Sequence, residues 1–242
     1  MKIKVLDHGF VRFVEDWGRG DASEAEAGVI EAARQSTAGA FRGWETDAKL
    51  LRFLYASEPK HATPFEFAGL VLEIRAPIFV FREWHRHRTQ SYNEASARYA
   101  PLPDVDYLPT AEALVERSEA AATTGNKQAA GSGRAVTQAE AQDWLSDQAH
   151  LYREFEYHYQ RGLKLGIPKE VARIGMPVGR YSQMRAATSL RNWLAFLTLR
   201  LDPRAQWEIR QYASAGGEVS AARFPRTWGL FNNERLRKLG GE

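Results

Sequence analysis

This sequence predicts a single domain mixing β-strands with a larger number of helices, and three observations carry the prediction. Residues 67–74 are apolar and partly β-branched, with Val71, Glu73 and Arg75 alternating against Leu72 and Ile74, the two-residue period of a strand. Residues 23–35, 47–57 and 137–165 instead repeat apolar side chains every three or four positions, as one face of a helix does. The chain has 242 residues, 44% of them hydrophobic, and no internal repeat, enough to bury a substantial core without staples.

The N-terminus, Met1-Lys2-Ile3-Lys4-Val5-Leu6-Asp7, lacks the apolar centre of a signal peptide and reads as an edge strand. Ala25, Val29, Ala32 and Ala33 mark the first helix, and Leu50, Leu51 and Leu54 the second. After the strand at 67–74, Pro77 opens a buried helix, Ile78-Phe79-Val80-Phe81-Arg82-Glu83-Trp84, running into Arg86. Residues 116–135 contain no aromatic and no aliphatic larger than alanine, so they lack the surface to order themselves and read as a mobile excursion. The longest helix, 137–165, aligns Trp144, Leu151, Tyr152, Phe155, Tyr159 and Leu163 on one stripe, and Gly166 and Pro168 end it. A strand at 180–187 and helices at 190–201 and 205–222 complete the reading.

Lys and Arg number 33 against 30 Asp and Glu, a net charge of +3 that does not by itself argue for nucleic acid. The absence of cysteine excludes disulfides, thiolate metal sites and a cysteine nucleophile. No stretch approaches the roughly 20 apolar residues of a membrane span. A soluble, cytoplasmic protein with no membrane or nucleic-acid partner is therefore expected.

Chemistry concentrates in a run of fourteen residues, Arg86-His87-Arg88-Thr89-Gln90-Ser91-Tyr92-Asn93-Glu94-Ala95-Ser96-Ala97-Arg98-Tyr99. Arginine forks match phosphate oxygens, serine adds a neutral donor, and tyrosine and histidine offer flat faces for a ring. Consecutive Arg86, His87 and Arg88 on a helix would fan about 100° apart and could surround ligands without gripping one from a single side. The plainer reading of Arg-His-Arg alone is a solvated basic helix end. His85 and His87 form a His-x-His pair, but Arg82, Arg86 and Arg88 crowd it with positive charge, so no metal is expected. His8, His150 and His158 stand isolated.

Two further stretches stand out. In His61-Ala62-Thr63-Pro64-Phe65-Glu66, Thr63 and Glu66 have the spacing of a capping box with Pro64 in the first turn, which leaves His61 unexplained. Arg173, Arg191 and Arg200 lie in apolar surroundings, where a guanidinium needs an acceptor, either a ligand or an internal partner such as Glu170 or Asp202.

Arg-His-Arg followed after seven residues by Ser96 resembles the signature of the flavin-dependent thymidylate synthases, and the other two stretches resemble further motifs of that family in the same order. The resemblance extends from the first strand to about Ala213. It implies an α+β fold, an antiparallel sheet with flanking helices, in a homotetramer whose sites are shared between subunits. It implies reductive methylation of dUMP to dTMP, with methylenetetrahydrofolate as carbon donor and FAD, recharged by NADPH or NADH, as hydride source. The missing cysteine fits, because a reduced flavin removes the need for a thiolate adduct on the uracil ring.

Residue by residue, the resemblance places Arg200 at the uracil as activator, with Arg86 also catalytic. It places Glu83, Arg86, Glu94, Ser96, Ala97, Arg98, Arg173 and Arg200 at the nucleotide, and Tyr99 toward the folate. At the flavin it places His61, Thr63, Glu66, Arg86, His87, Arg88, Asn93, Glu94, Ser189, Arg191 and Arg204. Four positions depart from the family. Glu83 replaces glutamine, bringing a carboxylate that would repel a phosphate unless Arg82, Arg86 or Arg98 compensates. Ser189 stands where asparagine is common, Ala195 where asparagine or histidine is, and Arg204 where histidine is. Ala195 and Arg204 keep open a flavin- or nucleotide-binding relative that oxidises NAD(P)H without methylating, and the arginines and aromatics a nucleic-acid-binding protein.

Overall fold

The computed structural model describes residues 1–19, 25–123 and 134–240. Among these residues five antiparallel strands form one open sheet: β1 Lys2–Val5, β2 Gly9–Trp17, β3 Gly69–Pro77, β4 Ser91–Glu94 and β5 Tyr181–Ser189, in the order β1-β2-β3-β5-β4. The expected N-terminal strand is at the edge. The second strand, β2, was not legible in the sequence. Long-range pairing of β3 with both β2 and β5 makes it central.

Nine α-helices are found among the described residues. They are α1 Ala27–Arg34, α2 Trp44–Ala56, α3 Ile78–Trp84, α4 Ala111–Thr123, α5 Gln138–Lys164, α6 Lys169–Ala172, α7 Leu190–Arg200, α8 Trp207–Arg223 and α9 Pro225–Leu239. The fold is therefore α+β, as the resemblance implied. Part of the first expected helix, residues 23 and 24, and residues 124–133 of the expected excursion lie outside the described residues.

Alternation in β3 decides the two faces of the sheet. Leu70, Leu72, Ile74 and Ala76 are wholly buried in a core that also takes Trp193, Phe196, Tyr212, Ala213 and Phe231. On the opposite face Glu73 lies between Arg12 of β2 and Arg185 of β5, each directly across from it in the register. Arg12 donates to both Glu73 oxygens at 2.8 and 2.9 Å, and this, with Arg185, holds the Glu73 carboxyl below the usual carboxylate range. One sheet face is thus apolar and covered, the other charged.

Several expectations fail for identifiable reasons. Residues 116–123 are not an unstructured excursion but the second half of α4, because Arg117 is ion-paired with Glu208 and its guanidinium lies 3.9 Å from the centre of the Trp207 ring. Ser118 also accepts from the Val136 amide at 2.9 Å. The α5 stripe is not uniformly buried: Tyr159 is, but Trp144 and Leu151 are exposed. Thr63 forms no capping box, since residues Thr63–Phe67 make a 3₁₀ turn without a side-chain cap and Glu66 is ion-paired with Arg191 instead. A box does form at Thr137 and Glu140, where α5 begins.

Candidate active site

The signature run starts beyond a helix rather than on one. Helix α3 ends at Trp84, and residues 85–90 form a turn, so Arg86, His87 and Arg88 are spread by turn geometry and not by helical rotation. Its continuation is not wholly a loop, because Ser91–Glu94 pairs with β5 as the edge strand β4. Three of the run's residues serve the protein itself. The Gln90 side chain accepts from Trp84 Nε1 at 3.1 Å, and the Tyr92 hydroxyl donates to the His87 carbonyl at 2.7 Å. Thr89 presents its carbonyl to the Thr188 hydroxyl at 2.8 Å, which ties the turn to the end of β5. Tyr92 is therefore a clamp on the turn through its hydroxyl. Beneath the turn, Trp84 stacks on Phe196 with centroids 4.5 Å apart, a contact worth about 0.5 to 1.5 kcal/mol beyond area burial.

Around this rigid turn the site residues fall into three groups. In the first, Arg200 at the end of α7 donates from Nε to His87 Nε2 at 2.8 Å and is ion-paired with Glu83. Burial, with Arg200 second, pushes the His87 pKa down to about 4, so this imidazole is neutral near pH 7 and can accept. The compensation that Glu83 requires thus comes from Arg200, and not from Arg82, Arg86 or Arg98.

The second group gathers where α7 begins. Ser189 precedes the helix with its hydroxyl buried and without a hydrogen-bond partner among the described residues. Two residues on, Arg191 is half exposed and pairs with Glu66. His61 and Thr63 stand exposed on the segment leading to Glu66, His61 stacked on Phe53 at 5.3 Å. Arg86 and Arg88 are exposed, and their guanidinium groups have no hydrogen-bond or ion-pair partner among the described residues. A cleft of about 740 Å³ adjoins this group, with Arg191, Ala195 and Arg204 on one side and Lys60, Phe231 and Lys238 on another. Arg204 forks onto Asp202 at 2.8 and 2.9 Å, so it enters the cleft already paired.

The third group lies at the other end of β4. A cleft of about 620 Å³ on the charged sheet face is lined by Asn93, Glu94, Ser96 and Tyr99 together with Glu73, Arg75 and Arg185. Glu94 accepts from Ser182 at 2.7 Å, and Ser96 Oγ accepts from the Arg98 amide at 3.3 Å. Arg98 pairs with Glu170 at 3.1 Å, and Lys169 donates to the Tyr99 carbonyl at 2.8 Å. These contacts dock α6 and the following 3₁₀ turn, which carries Arg173, against the Ser96 turn, while Ala97 is buried within it.

The internal partners proposed from sequence were therefore mismatched: Glu170 holds Arg98 and Asp202 holds Arg204. The deeply buried guanidinium belongs to none of the three expected arginines but to Arg180, surrounded by Asp104, Asp106 and Glu156. Sequence reasoning also missed Glu73, Arg75 and Arg185 as cleft walls. The alternation of 71, 73 and 75 was the available signal, since it put two charges on one strand face. Among the described residues no three His, Asp or Glu side chains gather as a metal site, and no helix is long and apolar enough to cross a membrane.

Known proteins resemble this chain over most of its length. Residues 20–226 match a family model described as thymidylate synthase complementing protein. A flavin-dependent thymidylate synthase of Thermus thermophilus is 37% identical over 236 residues, covering 98% of this chain and 80% of that protein. One from Wolbachia pipientis wMel is 35% identical over 231 residues, covering 94% of this chain and 75% of that protein. Among solved structures, the UMP/dUMP methylase PolB from Streptomyces cacaoi bound with 5-Br UMP superposes with a TM-score of 0.77 at 30% identity, covering 96% of each chain.

Proposed function

This chain belongs to the family of flavin-dependent thymidylate synthases, and we propose on that footing that it methylates dUMP reductively to dTMP, with methylenetetrahydrofolate as carbon donor and FAD as redox cofactor. The observation that carries the reading is the signature turn itself, pinned to the start of α7 by the Thr89 carbonyl, which accepts from Thr188 and Asn192, while His87 accepts from Arg200.

The residues present fit a flavin. An orphaned hydroxyl at a helix N-terminus, Arg191 beside it and two unpartnered arginines suit an oxygen-rich anionic group such as a dinucleotide's diphosphate. His61, Thr63, Glu66, Asn93, Glu94 and Arg204 are the further flavin contacts of this reading. When bound and reduced by NADPH or NADH, the flavin supplies the hydride.

The chain's own work is positioning and charge stabilisation. Arg98 and Arg173, with Ser96 and the Ala97 amide, hold the nucleotide phosphate, since guanidinium forks and loop donors suit its oxygens. Arg200, with its remaining N–H groups, donates to the uracil oxygens as negative charge grows on the ring, and its fixed orientation makes that donation cheap in reorganisation. Ser96 is a neutral donor and not a nucleophile, because no histidine or carboxylate accepts its proton among the described residues.

The site is shared between subunits of a tetramer in this reading. Within one chain the Arg200 group and the Ser96 group lie at opposite ends of β4, whose four residues span about 13 Å. Exposed Trp144, Leu151, Tyr157 and Ile174 provide apolar surface for a second copy. The visible spectrum of the purified protein, before and after reduced nicotinamide, tests the flavin. Tritium release from dUMP labelled at carbon 5 tests the reaction, and release without flavin would overturn it.

A further inference from the structure

Arg200 meets its ligand already neutralised. It uses Nε on His87, one Nη1 hydrogen on the Glu83 carboxylate, and leans one Nη2 hydrogen toward the Glu83 carbonyl at 3.4 Å. A guanidinium has five N–H groups, so one on each terminal nitrogen remains. The side chains of Arg200 and Glu83 are only 16% and 24% exposed, which keeps water from screening the pair as it would on an open surface. With His87 neutral, the three groups carry no net charge.

Arg86 and Arg88, a few residues away, contrast with this. Their exposed guanidinium groups, without hydrogen-bond or ion-pair partners among the described residues, keep their full charge for an anion. A phosphate approaching Arg200 would meet the Glu83 carboxylate as well, and like charges at such range repel. A neutral carbonyl meets no such penalty and needs only the two N–H groups left. The second Glu83 oxygen, unpartnered among the described residues, is moreover an acceptor that suits the ring N–H of uracil and not the ring nitrogen of cytosine, which itself accepts.

We propose that Glu83 is a specificity-determining residue: paired with Arg200, it withdraws that guanidinium from phosphate binding and reserves it for the carbonyl and N–H edge of the nucleobase, so that the nucleotide enters this pocket base first. This rests on the nucleotide reading above. Glutamine at the same position would leave Arg200 with its full charge.

The test is displacement of dUMP from the flavin-loaded protein by inorganic phosphate, measured by calorimetry for wild type, Glu83→Gln, Glu83→Ser and the double variant Glu83→Gln/Arg200→Gln. Either neutral single variant should bind phosphate at least about five-fold more tightly than wild type, and the double variant should lose that gain. Preference for dUMP over dCMP should also fall in Glu83→Gln. Unchanged phosphate competition in both single variants, or a gain that survives loss of Arg200, would overturn the proposal. Wild-type protein that binds no dUMP would remove the nucleotide reading itself, and this proposal with it.

Discussion

Arg180, wholly buried at the entrance to β5, donates from Nε to Asp106 at 3.1 Å, and through this pair the segment before α4 is fastened to the sheet. The same guanidinium holds Asp104 at 3.1 Å and Glu156 of α5 at 2.9 Å. Arg180→Met would leave the partly buried Asp106 and Glu156 without their counter-charge. A loss of about 3 to 5 kcal/mol in urea unfolding is expected. A loss under about 1 kcal/mol would mean that the carboxylates find other partners.

The Arg98–Glu170 pair should behave in the opposite way. Its side chains are 57% and 55% exposed, so breaking it is expected to cost the fold less than about 1 kcal/mol. Arg98→Ala should nevertheless weaken dUMP binding by about 1.5 to 3 kcal/mol through loss of a charge-assisted bond to phosphate. Glu170→Gln, which frees Arg98 from its internal competitor, should tighten binding. Unchanged dUMP affinity in Arg98→Ala would put the phosphate elsewhere.

Ser96→Ala separates a phosphate donor from a nucleophile. Its hydroxyl accepts from the Arg98 amide at 3.3 Å, a turn contact that needs no base. The expected cost is about 0.5 to 1.5 kcal/mol in kcat/KM. A fall of several orders of magnitude, or a trapped serine adduct of the nucleotide, would refute this role.

His87 gives a pH signature with a definite sign. The unfolded chain takes up this proton near 6.5, whereas burial and Arg200 hold the folded histidine at about 4. Stability from His87 is therefore intact above pH 6.5 and is lost as pH falls toward 4. Urea midpoints measured at about pH 7.5 and 4.5 should drop further for wild type than for His87→Gln. Equal drops would show that His87 titrates normally.

Complementation examines the shared site. Arg200 and Arg98 sit at opposite ends of β4, so if one subunit supplies the phosphate end and another the base end, mixed Arg98→Ala and Arg200→Ala chains should regain part of the activity. Arg86→Ala mixed with Arg200→Ala is a weaker probe, because His87 binds Arg200 within one chain. No recovery in the first mixture would argue that each site belongs to a single chain.

What the sequence determined by itself was whatever local periodicity and motif spacing encode. The alternation at 71–75 located β3, the three- and four-residue apolar repeats located α2 and α5, and the co-linear motifs around Arg86, His61 and Arg191 pointed to the family. The tertiary structure alone decided which charges meet. Glu83 and Arg200 are 117 positions apart, as Glu66 and Arg191 are 125, and nothing local favours either pairing over Glu170 or Asp202. Packing also reassigned residues that composition had misjudged. Alanine-rich α4 is fastened by Arg117 to Glu208, 91 positions away. Arg180 outranks the expected arginines in burial because the 101–107 segment and α5 close over it. Local propensity is short-ranged, whereas ion pairs and burial depend on where the whole chain brings its distant parts, so the kind of site was legible and its wiring was not.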